Sequence, residues 1–283
     1  MPLNVAPTGV GLGFRAALAE DLLSSTSSAA SFLELAPENF LGVGGQRARW
    51  LAMAAERWPI VSHGLCGDFA GACPIDRELI GELKSFLRRY GARWYSDHLC
   101  LTHVAGAETH DLLPLPFTDE AVLRAAARIK ELSEALELPL AVENVSAYLR
   151  APGGVMEEAT FVRRVVEEAG CHLLLDVNNV FVNAVNFRLD ARAYVQALPL
   201  DRVIQIHVAG HDEEIAGELL IDSHGSPVID AVYQLLEDTL RLMPHTPPVL
   251  LERDHNIPKL AVLQAELERL RDITGRVDAG RAT

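Results

Sequence analysis

Three observations predict an α/β fold closed into a (β/α)8 TIM barrel. Short apolar runs recur along the chain, segments with helical spacing separate them, and a length of 283 residues suits one such barrel. The runs are continuously apolar rather than alternating, as strands covered on both faces should be.

The strands read in order. TGVGLG (8–13) and FLELA (32–36) open the chain, followed by PIVSH (59–63) and RWYSDH (93–98). Between these last two, ELIGELKSFLRRYG (78–91) carries apolar residues at helical spacing and stops on Gly. The long segment 99–117 holds His103 and His110 and is expected to cover the barrel mouth. DEAVLRAAARIKELSEAL (119–136) is an amphipathic helix opened by acids after Thr118, and PLAVEN (139–144) follows as a strand. EEATFVRRVVEEAG (157–170) is another helix ending in Gly, and HLLLDV (172–177) is the sixth strand. The DVNN at its end reads as a turn, since Asn is a common turn residue. VIQIHV (203–208), the helix SPVIDAVYQLLEDTLRLM (226–243), PVLLE (248–252) and the helix KLAVLQAELERLRDI (259–273) complete eight strands. No linker or charge block divides residues 1–283, so one domain is expected, with 275–283 as a frayed tail.

Composition narrows the function classes. A net charge of −14 argues against a broad phosphate-binding face, so no nucleic-acid partner is expected. No run approaches a membrane span and no secretory signal is recognisable. Cys66, Cys73, Cys100 and Cys171 form no CxxC pair or disulfide framework, which suits a reduced, cytoplasmic protein.

The chemistry lies at the strand ends. His63, His98, Glu143, Asp176, His207 and Glu252 each fall at the C-terminal end of a strand, where a closed barrel brings its strand ends to one mouth. A carboxylate ending a buried strand must be paired or metal-bound, and few Lys or Arg residues lie at other strand ends. Asp222 and His224 follow the seventh strand as a D-x-H pair, and Asn179 follows Asp176 as a further oxygen donor. Imidazole and carboxylate without thiolate suit iron, zinc or manganese, and ligand type alone does not choose among them. At the mouth, Glu38, Asn39, His211 and Asp254 are candidates for binding substrate. Asp97 should point away from His98, and Cys66, Cys100 and Cys171 read as packing residues.

The ordered phrases GVGLGFR, ENFLG, VSHG, SDHL, VENV, LLDVNN, IHVAGH, DSHG and ERDHNIP cover nearly the whole chain. In that order they resemble the xylose-isomerase-like barrel superfamily. Within it they are most similar to the multinuclear non-haem iron-dependent oxidative enzymes, the family of the methanobactin maturase. The resemblance implies that His63 and His98 hold one ion, Asp176 and His207 the next, and Glu143 and Glu252 bridge between them. Asp222, His224 and Asn179 would bind a third, with Asn179 standing where related DNA-repair enzymes carry a His. Glu143, Asp176 and Glu252 would be the catalytic carboxylates. The implied cofactor is iron, two to three ions in mixed Fe(II)/Fe(III) states, with dioxygen as co-substrate. The implied substrate is a cysteine of a ribosomally made precursor peptide, presented by a separate leader-binding partner protein. Two alternatives stay open on the residues alone: a multinuclear zinc phosphodiesterase or endonuclease-like hydrolase, and a divalent-metal sugar isomerase or epimerase.

Overall fold

The computed structural model describes residues 2–3, 5–26, 28–65, 67–71, 74–104, 107–215 and 219–281. Cys66 and Cys73 lie outside them. In chain order the strands are β1 (Val10–Gly13), β2 (Phe32–Leu35), β3 (Ile60–His63), β4 (Tyr95–His98), β5 (Cys100–Val104) and β6 (Ala107–Pro114). They continue with β7 (Leu140–Glu143), β8 (His172–Asp176), β9 (Val203–Val208), β10 (Asp212–Ile215), β11 (Leu219–Ile221) and β12 (Val249–Leu251). The helices are α1 (Ala19–Ser24), α2 (Gly45–Ala55), α3 (Arg77–Tyr90), α4 (Asp119–Leu136), α5 (Glu158–Ala169), α6 (Val177–Phe187), α7 (Ala191–Ala197), α8 (Asp230–Leu242) and α9 (Leu260–Arg281).

Eight parallel strands close in the order β1-β12-β9-β8-β7-β4-β3-β2, the (β/α)8 barrel that the apolar runs predict. The remaining strands form two antiparallel hairpins, β5–β6 and β10–β11, both inserted after barrel strands. The segment expected to cover the mouth is therefore largely a hairpin, and its Asp111 and Leu112 do line the mouth cavity.

Alternation along each barrel strand sets the interior. Leu33, Leu35, Leu173, Leu175, Ile206, Val208, Val249 and Leu251 turn outward and belong to the main hydrophobic core. Phe32, Val61 and Leu250 form a separate buried cluster that fills the barrel. A Cβ on Gly11 would lie 2.4 Å from the Phe32 ring, so this position of β1 takes no side chain. Two residues further along β2, β3 and β12 come Glu34, His63 and Glu252. One layer up from the apolar plug, the barrel turns polar.

Three differences from the sequence reading have local causes. The DVNN segment opens α6 rather than a turn: the Asp176 carboxylate accepts from Asn179 N at 2.7 Å and caps the helix. The tail expected to fray continues α9 to Arg281, because Thr274 and Val277 are buried on its inner face. Helices α1, α2 and α7 and both hairpins went unread; α2 has a weak apolar stripe, burying only Leu51, Ala54 and Ala55. Among the described residues, no helix is long and apolar enough to cross a membrane.

Candidate metal centre

The strand ends converge as the barrel requires. His63 Nε2 and His98 Nε2 approach to 3.1 Å, and Glu143 Oε2 lies 3.0 Å from the first and 3.4 Å from the second. Glu143 reaches the other way as well: its Oε1 is 3.3 Å from His207 Nδ1, which is 3.2 Å from Glu252 Oε2. Glu252 Oε2 in turn lies 3.6 Å from His224 Nδ1, and His224 Nε2 lies 2.8 Å from Asp222 Oδ1. The result is a chain of ligand groups across the barrel mouth.

Three groups of donor atoms, each within 4.8 Å of one another, follow from this: His63, His98 and Glu143; Glu143, Asp176 and His207; and Asp176, His224 and Glu252. A fourth joins Glu34, His207 and Glu252. Glu143, Asp176 and Glu252 each belong to two of the four groups, the position a bridging carboxylate would take. Glu252 falls between the His207 and His224 rings. Asp222 enters none of these groups and meets the centre through His224, while Asn178 Nδ2 donates to it at 2.7 Å.

Hydrogen bonding tests whether a metal fits. Asp176 Oδ2 and Asn179 Oδ1 are buried and lack a hydrogen-bond partner, while Glu143 Oε2, His207 Nδ1 and His224 Nε2 are buried against other candidate ligands without the geometry of a hydrogen bond. Buried polar atoms are rarely left so, and these are atoms of candidate ligands. Carboxylate and imidazole donors of this kind fit a cluster of divalent or trivalent ions such as iron, zinc or manganese. Asn179 donates through Nδ2 to Asn144 O at 3.0 Å, which leaves its oxygen as the free end.

Electrostatics agree with a site built for positive charge. Burial raises the Glu143 carboxyl, yet the His63, His98 and His207 imidazoles outweigh it and hold the group well below its ordinary range. Glu252 is likewise held well below, by His224 and His207 against the cost of burial. Asp176 goes the other way: burial, with Glu143 and Asp222 nearby, pushes it well above the ordinary value. Burial disfavours charge on His98, but Glu143 and Asp97 push it up to about 9. His207 and His224 are raised well above the usual imidazole value by their carboxylates, against burial. Protons here counter the charge that cations would otherwise counter.

Outer partners hold the rings. His63 Nδ1 lies 3.0 Å from Ser96 Oγ, His207 Nε2 lies 2.9 Å from Glu34 Oε1, and His224 Nδ1 lies 3.1 Å from Asp254 Oδ2. Asp97 turns toward the β3 loop as expected, accepting from Gly67 N and the Tyr95 hydroxyl, yet its Oδ1 stays 3.5 Å from His98 Nδ1. Sequence reading missed Glu34 and Arg15. Glu34 is 3% exposed inside β2, and the signal was present: a carboxylate within the apolar run FLELA has no solvent to face. Arg15 donates through Nε to Asp254 at 2.7 Å and through Nη2 to Glu252 at 3.1 Å.

Above the centre lies a cavity of about 530 Å³, walled by Phe14, Asn39, His63, His98, Tyr148 and His224 among others. Asn39 and Asp254 open onto it, as substrate candidates should. The other two candidates do not line it. Glu38 holds Leu65 N at 3.0 Å and the Tyr95 hydroxyl at 3.1 Å, and faces an adjoining groove. His211 is buried, its Nδ1 2.7 Å from Oδ1 of Asn178, whose amide also holds Asp222.

Residues 9–275 match the family model described as the RiPP precursor modification enzyme MbnB/TglH/ChrH. The chain belongs to that family. It is 48% identical to a UPF0276 protein of Pseudomonas aeruginosa over 95% of this chain and 93% of the relative. It is 46% identical to another from Neisseria meningitidis serogroup A, over 94% and 95%. Among solved structures it is similar to an L-ribulose 3-epimerase, with a TM-score of 0.61, 15% identity, and coverage of 98% of this chain and 96% of that one. A xylose isomerase domain protein from Alicyclobacillus acidocaldarius gives a TM-score of 0.62 at 17% identity, with 95% of this chain and all of the other covered. At such identities these show the xylose-isomerase-like TIM-barrel fold alone. Family membership makes the chain a modification enzyme whose substrate is a precursor peptide.

Proposed function

We propose that this enzyme is a multinuclear non-haem iron oxidoreductase that uses dioxygen to oxidise a cysteine of its precursor peptide. One observation carries the reading: three contiguous ligand groups, sharing Glu143 and Asp176, lie at the floor of an open cavity. The first group, His63, His98 and Glu143, would hold one iron. Glu143, Asp176, His207 and Glu252 would hold the second. Asp176, Glu252 and His224 would hold a third, with Asp222 and Asn179 beside it. Two to three irons in mixed ferrous and ferric states would supply thiolate binding and one-electron chemistry with dioxygen.

The chain's own residues do the rest. The described ligands include no cysteine, so a sulfur ligand would come from the peptide, as the reaction requires. Glu143 and Asp176, each shared by two of the groups, would keep neighbouring ions together. The plug of Phe32, Val61 and Leu250 closes the barrel beneath the centre and keeps water from that side. Asn39, Tyr148 and Asp254 at the wall supply polar groups for peptide backbone, and a separate leader-binding protein would deliver the peptide.

The test is co-expression with any short cysteine-containing peptide, and any partner protein, found encoded beside this gene. The expected result is a change in peptide mass that needs iron and dioxygen and is lost when the modified cysteine becomes Ser. An unmodified peptide in the presence of iron-loaded enzyme and partner would overturn it.

A further inference from the structure

We propose that Glu34 is a positioning residue that makes His207 bind metal through Nδ1 rather than Nε2. The inference rests on the metal centre proposed above. It starts from a contrast between two rings. His63 anchors Nδ1 on Ser96 and turns Nε2 toward Glu143 and His98. His207 is reversed: Nε2 is anchored on Glu34, and Nδ1 faces Glu143 and Glu252.

The reversal has a cause in the second strand. Glu34 projects into the barrel from β2, at the height of the ligands and 3% exposed. Its Oε1 lies 2.9 Å from His207 Nε2, and its Oε2 accepts from Gln205 Nε2, the inward residue directly below His207 on β9. Nδ1 is the nitrogen that faces the centre, so with a metal there Nε2 is the ring nitrogen left to carry a proton, and Glu34 Oε1 lies 2.9 Å away to accept it. Gln205 Nε2 also lies 3.1 Å from His207 Nε2; an amide nitrogen only donates, so once Nε2 carries its proton this is a close contact and the Gln205 hydrogen bond is the one to Glu34.

Glu34 also falls in a ligand group with His207 and Glu252, so it competes for the role of ligand. Hydrogen bonding separates the two roles. Glu34 Oε2 is held by the Gln205 amide, which is no candidate ligand, and its Oε1 meets the His207 nitrogen that faces away from the centre, whereas the contacts of Glu143 all run to the imidazoles of candidate ligands. A carboxylate held by an amide on the far side of a ligand ring acts as scaffold. Glu34 and Gln205 therefore fix the ring's orientation from the side away from the metal.

The test is anaerobic Fe(II) titration of metal-free wild type, Glu34→Leu and Glu34→Gln, reading equivalents bound and the affinity of each. Wild type should bind two or more equivalents; if it does not, the metal reading fails, whatever Glu34 does. Given that binding, Glu34→Leu should weaken one ion by about 10- to 100-fold and spare the ion on His63 and His98. Glu34→Gln, whose amide oxygen still accepts from Nε2, should lie within a few-fold of wild type. Unchanged binding in Glu34→Leu, or equal losses in both variants, would overturn the proposal; the second result would make Glu34 a ligand. Should the Leu variant not fold, a structure of the iron-loaded wild type decides. Iron on His207 Nδ1 with Glu34 outside bonding distance supports the assignment, and iron on Nε2 or on Glu34 refutes it.

Discussion

The two ends of the ligand chain are built differently. His63, His98 and Glu143 are terminal residues of β3, β4 and β7, three barrel strands joined by parallel pairing, and His98 pairs directly with Glu143 in register. Backbone ladders therefore set their spacing before any side chain is placed. Asp222 and His224 instead lie in the segment between β11 and α8, and His224 has a left-handed φ of 49°. That conformation is uncommon for a residue with a side chain and persists only where its surroundings impose it. Here they are Asp222, Asp254 and Glu252, with Arg15 tying the last two together. The comparison teaches that one end of the centre is specified by the fold and the other by a loop held in place by charge. Metal retention should follow that gradient.

The largest effect breaks the shared element. Glu143→Ala should cost more than one metal equivalent, because this carboxylate touches both the His63/His98 pair and His207. Metal analysis showing a loss of one equivalent or none would undo the bridging role. Next, His224→Ala should remove one equivalent and leave the strand-borne positions loaded. Loss of all metal from that variant would mean that the loop end supports the strand end. A smaller change should sharpen the contrast: Asn179→His replaces a neutral oxygen donor with an imidazole and should slow loss of the third ion to a chelator. An unchanged rate would place Asn179 outside the centre.

The smallest effect lies away from both ends. Burial pushes the Glu158 carboxyl up to about 7, against hydrogen bonds from Tyr194 and Asn183. A carboxyl with a raised folded-state value holds its proton more tightly when folded. Its contribution is complete below its ordinary value of 4.5 and is lost as pH climbs to about 7. Glu158→Gln should flatten that part of the melting-temperature profile, measured against wild type; two parallel profiles would refute the shift.

The barrel and most of the residues that gather at the candidate centre were legible because both follow from burial. A strand covered on both faces must be apolar throughout, so the eight runs stand out, and a charged residue at the end of such a run needs a reason. Legibility failed where partners come from far away in sequence. Glu34 and Gln205 are 171 positions apart, and neither reads as an orienting group until β2 and β9 share one interior. Helix α6 was hidden because Asn178 and Asn179 read as turn residues, whereas Asp176 caps a helix that buries both. Glu38 looked like a mouth residue from its place after β2, but its carboxylate turns to Leu65 and Tyr95. Sequence position gives the height of a residue in the barrel; only packing gives its direction.

The most direct test of a multinuclear iron centre is metal analysis with Mössbauer spectroscopy on protein purified without oxygen. The account predicts two to three irons per chain, with a coupled mixed-valent pair. Zinc alone, retained after expression in iron-rich medium, would contradict it.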